Sequence, residues 1–357
     1  MPWPESFRAF LLRRPELEIM MREIPSATRY RDPLRRLTAT PLVVYLRIMG
    51  RRVRMESNSA AIFGGITSLF ECDGGLSSPR PDFVWRLVGE KNGGVGHAWP
   101  EMAAFSDEGL RYVNLGQRSF FAIDLEAGEA IAFLSEEMAS DTAGFSSVFV
   151  ATLFDLIAPV LGLVPVAAAC VALQGRALLV FGPPRSGKTT STYLAGKLGL
   201  EFHADQASYL DLQPNGLYVW GQFWPAAFRE ESVQFLPELT SATKSFTYGG
   251  HTYVCFSKQR FPAPQARAVA PVACIFLERR DSVAPQLMAM GPAERRGLLE
   301  NCLAFQDDRR FAPQYASALR ALGELPGYRL VYGNDPAVAA TFLRSILSVH
   351  NSQEVTR

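Results

Sequence analysis

Cysteine and histidine are both scarce in this chain of 357 residues, with five of the first and four of the second. Cys72, Cys170, Cys255, Cys274 and Cys302 are scattered, odd in number, and form no Cys-x-x-Cys pair. That spacing excludes a disulfide framework and a structural zinc site, and it suits reduced thiols in a cytoplasm. The histidines are equally dispersed, so no His-based metal site is readable. Charge of one sign is not in excess either. Lys and Arg number 36 against 35 Asp and Glu, a net charge of +1, which gives no reason to expect binding to nucleic acid or to an anionic membrane. The first 56 residues hold twelve arginines against six acids, Arg13, Arg14, Arg35 and Arg36 among them. A run of this kind reads as a solvated helix face. The start "MPWPESFRAFLLRRPELE" lacks the basic head, apolar centre and small-residue cleavage site of a secretory signal,. There is no internal repeat and no low-complexity tract.

Long apolar runs are also rare, with one exception at residues 148–173, "VFVATLFDLIAPVLGLVPVAAACVAL". It has the length of a membrane span. Asp155 lies inside it, Pro159 and Pro165 interrupt it, and no Lys or Arg cluster flanks it. A buried helix ending near Gly162 and followed by a buried strand is the expectation.

Before about residue 142 the pattern is one of strands and turns. "LVVYLRIMGRRVRMES" alternates around Gly50 as a hairpin does, "AAIFGGITSLFE" fits a short helix, and "CDGGLSSPRPD" is a loop,. "DFVWRLVGEKNGGVGHAW", "LRYVNLG" and "RSFFAIDLEAGEAIAFL" supply further strands, with "KNGG" and "EAGE" as turns. After residue 143 apolar strands alternate with helices: "VAAACVAL" and "ALLVFG" around the turn "QGR", then the helix "KTTSTYLAGKLG" and the strand "LEFHAD". The strand "PVACIFLE", the helices "PAERRGLLENCLAF" and "APQYASALRALGEL", the strand "YRLVYG" and a final helix follow. The expectation is a β-rich accessory domain over 1–142 and an α/β layer domain over 143–357.

Gly182 to Thr189, "GPPRSGKT", satisfies G-x-x-x-x-G-K-[ST] between an apolar strand and a helix,. A loop of this composition, Gly182, Pro183, Pro184, Arg185, Ser186 and Gly187, curls its N–H groups around phosphate. The helix opening at Lys188, Thr189 and Thr190 adds partial positive charge. Lys188 is expected on the β- and γ-phosphates and the Thr189 hydroxyl on Mg²⁺. The metal's carboxylate has two candidates. Asp205 closes the strand after the loop helix, seventeen residues past Lys188, and Glu278 ends "VACIFLE" in the manner of a Walker B acid. Arg185 serves the phosphates or solvent. Arg229, Lys258, Arg279 and Arg280 could add phosphate-binding charge to such a site but read first as solvated surface cations, and His203 beside it reads first as a packed strand residue.

The segment "ACVALQGRALLVFGPPRSGKTTSTYLAGKLGLEFHADQ" resembles the C-terminal domain of HPr kinase/phosphorylase and its relatives, a phosphoenolpyruvate-carboxykinase-like branch of P-loop proteins. "VACIFLERR…YRLVYGNDPAVAATFL" resembles the later part of that module, so the likeness runs over roughly residues 145–350. It implies ATP- and Mg²⁺-dependent transfer of a phosphoryl group to a serine hydroxyl of a peptide or protein, or to a small molecule, with GTP left open as donor. By that likeness Asp205 is the first of two paired aspartates, catalytic together with Lys188, and Thr189 and Asp205 hold the metal. The second aspartate is Gln206 here, the family's histidine position falls near Ala167, and "GQFWPAAFREE" stands where a Gly-rich substrate motif would. These departures point away from HPr kinase itself, towards a relative with another acceptor. A catalytically weak nucleotide-binding module and an ordinary P-loop NTPase using Glu278 are the alternatives.

Overall fold

Nearly every side chain in residues 169–181 and 271–277 is apolar, so strands formed there have two faces to bury. In the computed structural model they lie at the centre of a six-stranded sheet. Its order is Glu201–Ala204, Ala169–Leu173, Arg176–Phe181, Ala270–Arg279, Gly327–Tyr332, Gln286–Ala289. The described residues are 38–73, 80–90, 98–107, 109–116, 119–230, 232, 236, 244–256, 267–281, 283–303 and 308–355. Ala169–Leu173 and Arg176–Phe181 form a hairpin through Gln174 and Gly175, both at positive φ, as a two-residue turn between right-twisted strands requires. Arg176–Phe181 pairs in parallel with Ala270–Arg279, which pairs in parallel with Gly327–Tyr332. Glu201–Ala204 is antiparallel to Ala169–Leu173 and so points the same way as those three. Four strands therefore end at one edge of the sheet.

Strand alternation sorts the side chains into two layers. Val171, Leu178, Val180, Ile275 and Leu277 pack with Ala195 of the Lys188–Lys197 helix and with Leu343 and Leu347 of the Pro336–Val355 helix. Cys170, Leu179, Phe181, Cys274 and Phe276 face the other way, onto Leu299 of the Pro292–Glu300 helix and Tyr315 and Leu322 of Ala312–Glu324. The product is a three-layer α/β arrangement. Cutting the fully buried Leu179 to alanine would cost about 2–5 kcal/mol through lost transfer energy and the cavity left behind.

The strands expected before residue 142 form an eight-stranded sheet, ordered Glu71–Asp73, Leu42–Ile48, Arg51–Ser57, Phe83–Glu90, Glu129–Ser135, Phe120–Asp124, Leu110–Asn114, Ala103–Asp107. The hairpin at Gly50 and the one at "EAGE" are both present. The Ala60–Thr67 helix, whose N-cap Ser59 hydroxyl accepts from the Ile62 N–H, lies in the connection between the parallel strands Arg51–Ser57 and Phe83–Glu90. The "KNGG" turn, most of the "CDGGLSSPRPD" loop and the arginine-rich start lie outside the described residues. Ala98–Trp99 pairs with Lys244–Tyr248, far along the chain.

Residues 208–256 add strands the sequence pattern had left unassigned. Leu163–Val166, Ser208–Gln213 and Gly216–Gly221 make one small sheet, and Ala226–Arg229, His251–Phe256, Lys244–Tyr248 and Ala98–Trp99 make another. The apolar run spanning 148–173 becomes helical turns through Ile157 and two buried strands. Among the described residues no helix is long and apolar enough to cross a membrane. Phe145, Phe149 and Phe154 of those turns share a core with Leu46, Trp85 and Phe121 on one side and Tyr209 and Trp224 on the other. That core is built from both sides of position 142. Every element named here lies within Thr40–Arg357.

Candidate active site

The loop after Arg176–Phe181 emerges at the edge where the four strands end. This is where ligands bind in open α/β sheets. Gly187 is the N-cap of the Lys188–Lys197 helix in the left-handed conformation, φ 86. A Cβ there would lie 2.1 Å from Tyr332 Oη, so glycine is required by both backbone and packing. Tyr332 ends the neighbouring strand and donates its hydroxyl to the Ser186 carbonyl at 2.6 Å. Burial raises the Tyr332 pKa, which keeps it a donor. A Cβ on Gly182 would meet Ser186 Oγ at 2.5 Å and the Leu277 carbonyl at 2.9 Å. The Ser186 hydroxyl is buried with no hydrogen-bond partner among the described residues, a polar group that a water or a ligand atom would satisfy. Pro183, Pro184 and Arg185 are exposed at the tip, and Arg185 holds φ 66, a conformation disfavoured for a residue with a side chain.

Lys188 folds back over this cradle. Its Nζ donates to the carbonyls of Gly182 at 2.6 Å and Pro183 at 3.1 Å. Burial pulls the Lys188 pKa below its ordinary value, while Cys302 and Asp205 act to raise it. Both therefore stand within electrostatic reach of the ammonium. Thr189 and Thr190 occupy the first helical turn, half-buried, where the helix dipole favours negative charge.

Asp205 follows the Glu201–Ala204 strand and is fully buried. Two strand spacings separate that strand from the loop strand, about 10 Å, a gap a lysine side chain and a small ligand can bridge. The backbone N–H groups of Asp205 and Gln206 both donate to Gln222 Oε1, at 3.1 and 3.2 Å. Gln206 itself is exposed.

The other sequence candidates divide. Glu278 is held by Arg280 at 2.6 Å and Arg329 at 3.1 Å. Arg329 also bonds Glu294 of the Pro292–Glu300 helix, which packs on the face opposite the loop helix. Glu278 is thus spent on a surface ion-pair network. Arg279 reaches Asn334 Oδ1 with Nε and Nη2, at 3.1 and 2.8 Å, and its charge bears on Tyr332. His203 Nε2 lies 3.2 Å from Glu201 Oε2, and Glu201 also pairs with Arg267. Arg229 closes the Ala226–Arg229 strand, and Lys258 lies outside the described residues.

Sequence inspection missed Tyr332, Gln222 and Cys302. In the sequence Tyr332 is one residue of an apolar strand, Cys302 one of five scattered cysteines, and Gln222 one residue of "GQFW". Nothing local distinguishes them, because their contacts come from distant segments.

The donor set fits Mg²⁺ as far as it goes. A threonine hydroxyl and a carboxylate are hard oxygen donors, and Mg²⁺ takes few protein ligands, filling the rest with water and phosphate. Among the described residues no group of three or more His, Cys, Asp or Glu is arranged to hold a metal ion.

No family model and no curated protein matches the chain. Among solved structures it is similar to the Hpr(Ser) kinase/phosphatase from Coxiella burnetii, at 10% identity, over 54% of this chain and 99% of that one, with a TM-score of 0.26.

Proposed function

We propose that this chain binds ATP with Mg²⁺ at residues 182–190 and transfers a phosphoryl group to a hydroxyl, first of all a serine of a peptide or protein. The observation that carries the reading is the loop itself: a glycine-tight cradle with the buried Ser186 hydroxyl under it, Lys188 across its mouth, and a buried carboxylate, Asp205, within reach of that lysine. Bound Mg-ATP would supply the phosphoryl group and the neutralising charge that such transfers need.

The chain's own residues divide the work. Lys188 would exchange its two carbonyl acceptors for phosphate oxygens, at little cost in geometry. The helix N-terminus at Gly187 presents N–H groups to the same anion. Thr189 and Asp205 would hold the metal. Asp205 would also accept the hydroxyl's proton as the new P–O bond forms and the bond to the leaving diphosphate breaks. Gln206 faces solvent beside it, where it can orient an acceptor by hydrogen bonding but cannot take a proton. The free cysteines among the described residues fit a reducing, cytoplasmic compartment.

A second reading is favoured by Gln206 alone: a module that binds nucleotide and turns it over poorly. Calorimetry with Mg-ATP and Mg-GTP, followed by transfer of labelled γ-phosphate to serine peptides and small hydroxyl compounds, separates the two. Binding with transfer supports the kinase; binding without transfer supports the module; absence of binding to either nucleotide removes both.

A further inference from the structure

Gln222 stands directly after the Gly216–Gly221 strand and is 2% exposed. Its Oε1 accepts from two successive backbone N–H groups, Asp205 at 3.1 Å and Gln206 at 3.2 Å, and its Nε2 donates to the Trp224 carbonyl at 3.5 Å. The partners decide the amide's orientation: two N–H donors require the oxygen, and a carbonyl requires the nitrogen. Both N–H groups converge on one atom at the point where the chain leaves the Glu201–Ala204 strand. That convergence sets the backbone angles from which the Asp205 side chain departs. The approach is made possible by Gly221, where a Cβ would lie 2.2 Å from the His203 carbonyl oxygen. The end of one strand is thus pressed directly onto the backbone of the other, and Gln222 enters beneath the turn.

We propose that Gln222 is the positioning residue for Asp205, holding its carboxylate towards Lys188 and the metal position. The inference rests on the reading of the loop and Asp205 as a phosphoryl-transfer site. Gln222 touches no reacting atom. A neutral amide suits the place, since it caps two N–H groups without adding a second negative charge beside a buried aspartate.

The test compares full-length wild type with Gln222→Leu and Gln222→Glu, using Mg-ATP as the probe. Leucine removes the acceptor at nearly the same volume. Outer partners of metal-binding groups typically change activity or metal affinity by about 10- to 100-fold when lost, and kcat for ATP turnover should fall by that order. KM for ATP, set by the loop and Lys188, should stay near wild type. The Mg²⁺ concentration at which ATP binding tightens should rise by a similar factor, with affinity at saturating Mg²⁺ unchanged, a readout that needs no turnover. Glutamate keeps an oxygen for both N–H groups, so it should retain most of kcat. Should the leucine variant fail to fold, Gln222→Asn, whose shorter side chain draws the oxygen back from both N–H groups, takes its place in the same measurements.

A leucine variant with wild-type kcat and Mg²⁺ response, or a glutamate variant that loses as much kcat as leucine, overturns the proposal. So does a loss in which KM and kcat change together. Wild type that binds no Mg-ATP overturns the phosphoryl-transfer reading itself, whereas wild type that binds and turns over nucleotide confines any failure to Gln222.

Discussion

Gly187 and Tyr332 occupy each other's space so closely that one added carbon on the glycine would lie 2.1 Å from the tyrosine hydroxyl. The loop before the Lys188 helix is thereby fastened to the end of a strand more than a hundred residues later. Gly187→Ala therefore meets two penalties, a methyl in contact with Tyr332 and a side chain at φ 86. Tyr332→Phe removes the bond to the Ser186 carbonyl, worth about 0.5–1.5 kcal/mol, together with the hydroxyl's interaction with Ser191. Denaturant unfolding of both single variants and the double variant should show less than additive destabilisation, because phenylalanine relieves the clash but leaves the backbone strain. Additivity would mean that the two residues do not touch in solution.

Lys188→Ala should weaken Mg-ATP binding strongly. Loss of a charge-assisted contact costs about 1.5–3 kcal/mol, or roughly 10- to 150-fold. Equal affinities by calorimetry would end the phosphate-loop assignment. Stability should change little, since the alanine leaves the Gly182 and Pro183 carbonyls open to water.

Asp205→Asn should abolish phosphoryl transfer and ATP hydrolysis, while Glu278→Gln should leave most of either. Glu278 is engaged by Arg280 and Arg329, and loss of such partly exposed pairs costs only about 0–1 kcal/mol. A rate assay giving the reverse pattern would move the chemistry to Glu278 and make the protein an ordinary NTPase.

Gln206→Asp tests whether one carboxylate suffices. A positioned acid–base group contributes about 10²–10⁴-fold, so the cases separate clearly. Transfer by wild type, with a gain in the variant well short of that range, is the expected outcome. Activity that appears only with the added aspartate would leave the binding-module reading standing.

Asp155 gives a stability prediction independent of nucleotide. Burial pushes its carboxyl up to about 7, against a smaller lowering effect of the hydrogen bond from Tyr209, whose hydroxyl donates to it at 2.5 Å. The folded state therefore binds a proton more tightly than the unfolded chain, whose aspartate titrates near ~3.9. The stabilisation is full below that value and is lost as pH rises towards 7. Between pH 4 and pH 8, roughly the span of that titration, wild type should lose Tm relative to Asp155→Asn. A constant Tm difference across the range would show that Asp155 is ionised throughout.

How much of this was legible beforehand follows from the range of the forces involved. The "ALLVF" strand, the glycine loop and the helix after it are contiguous, and their apolar runs and glycine spacing act on near neighbours. They could be read from the chain, as could the hairpins at Gly50 and "EAGE". The strands of residues 208–256 could not. Gly216–Gly221 buries only Val219, and so mixed a strand carries no clean alternation of its own.

The sequence by itself determined the glycine-rich loop between strand and helix, the alternation of strands and helices after residue 143, and the chemical type of each side chain on offer. Only the tertiary structure decided which of those groups meet. Asp205 lies near Lys188 because Glu201–Ala204 is laid two strands from the loop strand and points the same way. Tyr332 reaches Ser186 because its strand is added in parallel beyond Ala270–Arg279. Glu278 is withdrawn into ion pairs by arginines from its own strand end and from the next strand. Local composition settles how a segment folds, but sheet order is chosen by the burial of two apolar faces at once, and that choice belongs to the whole chain.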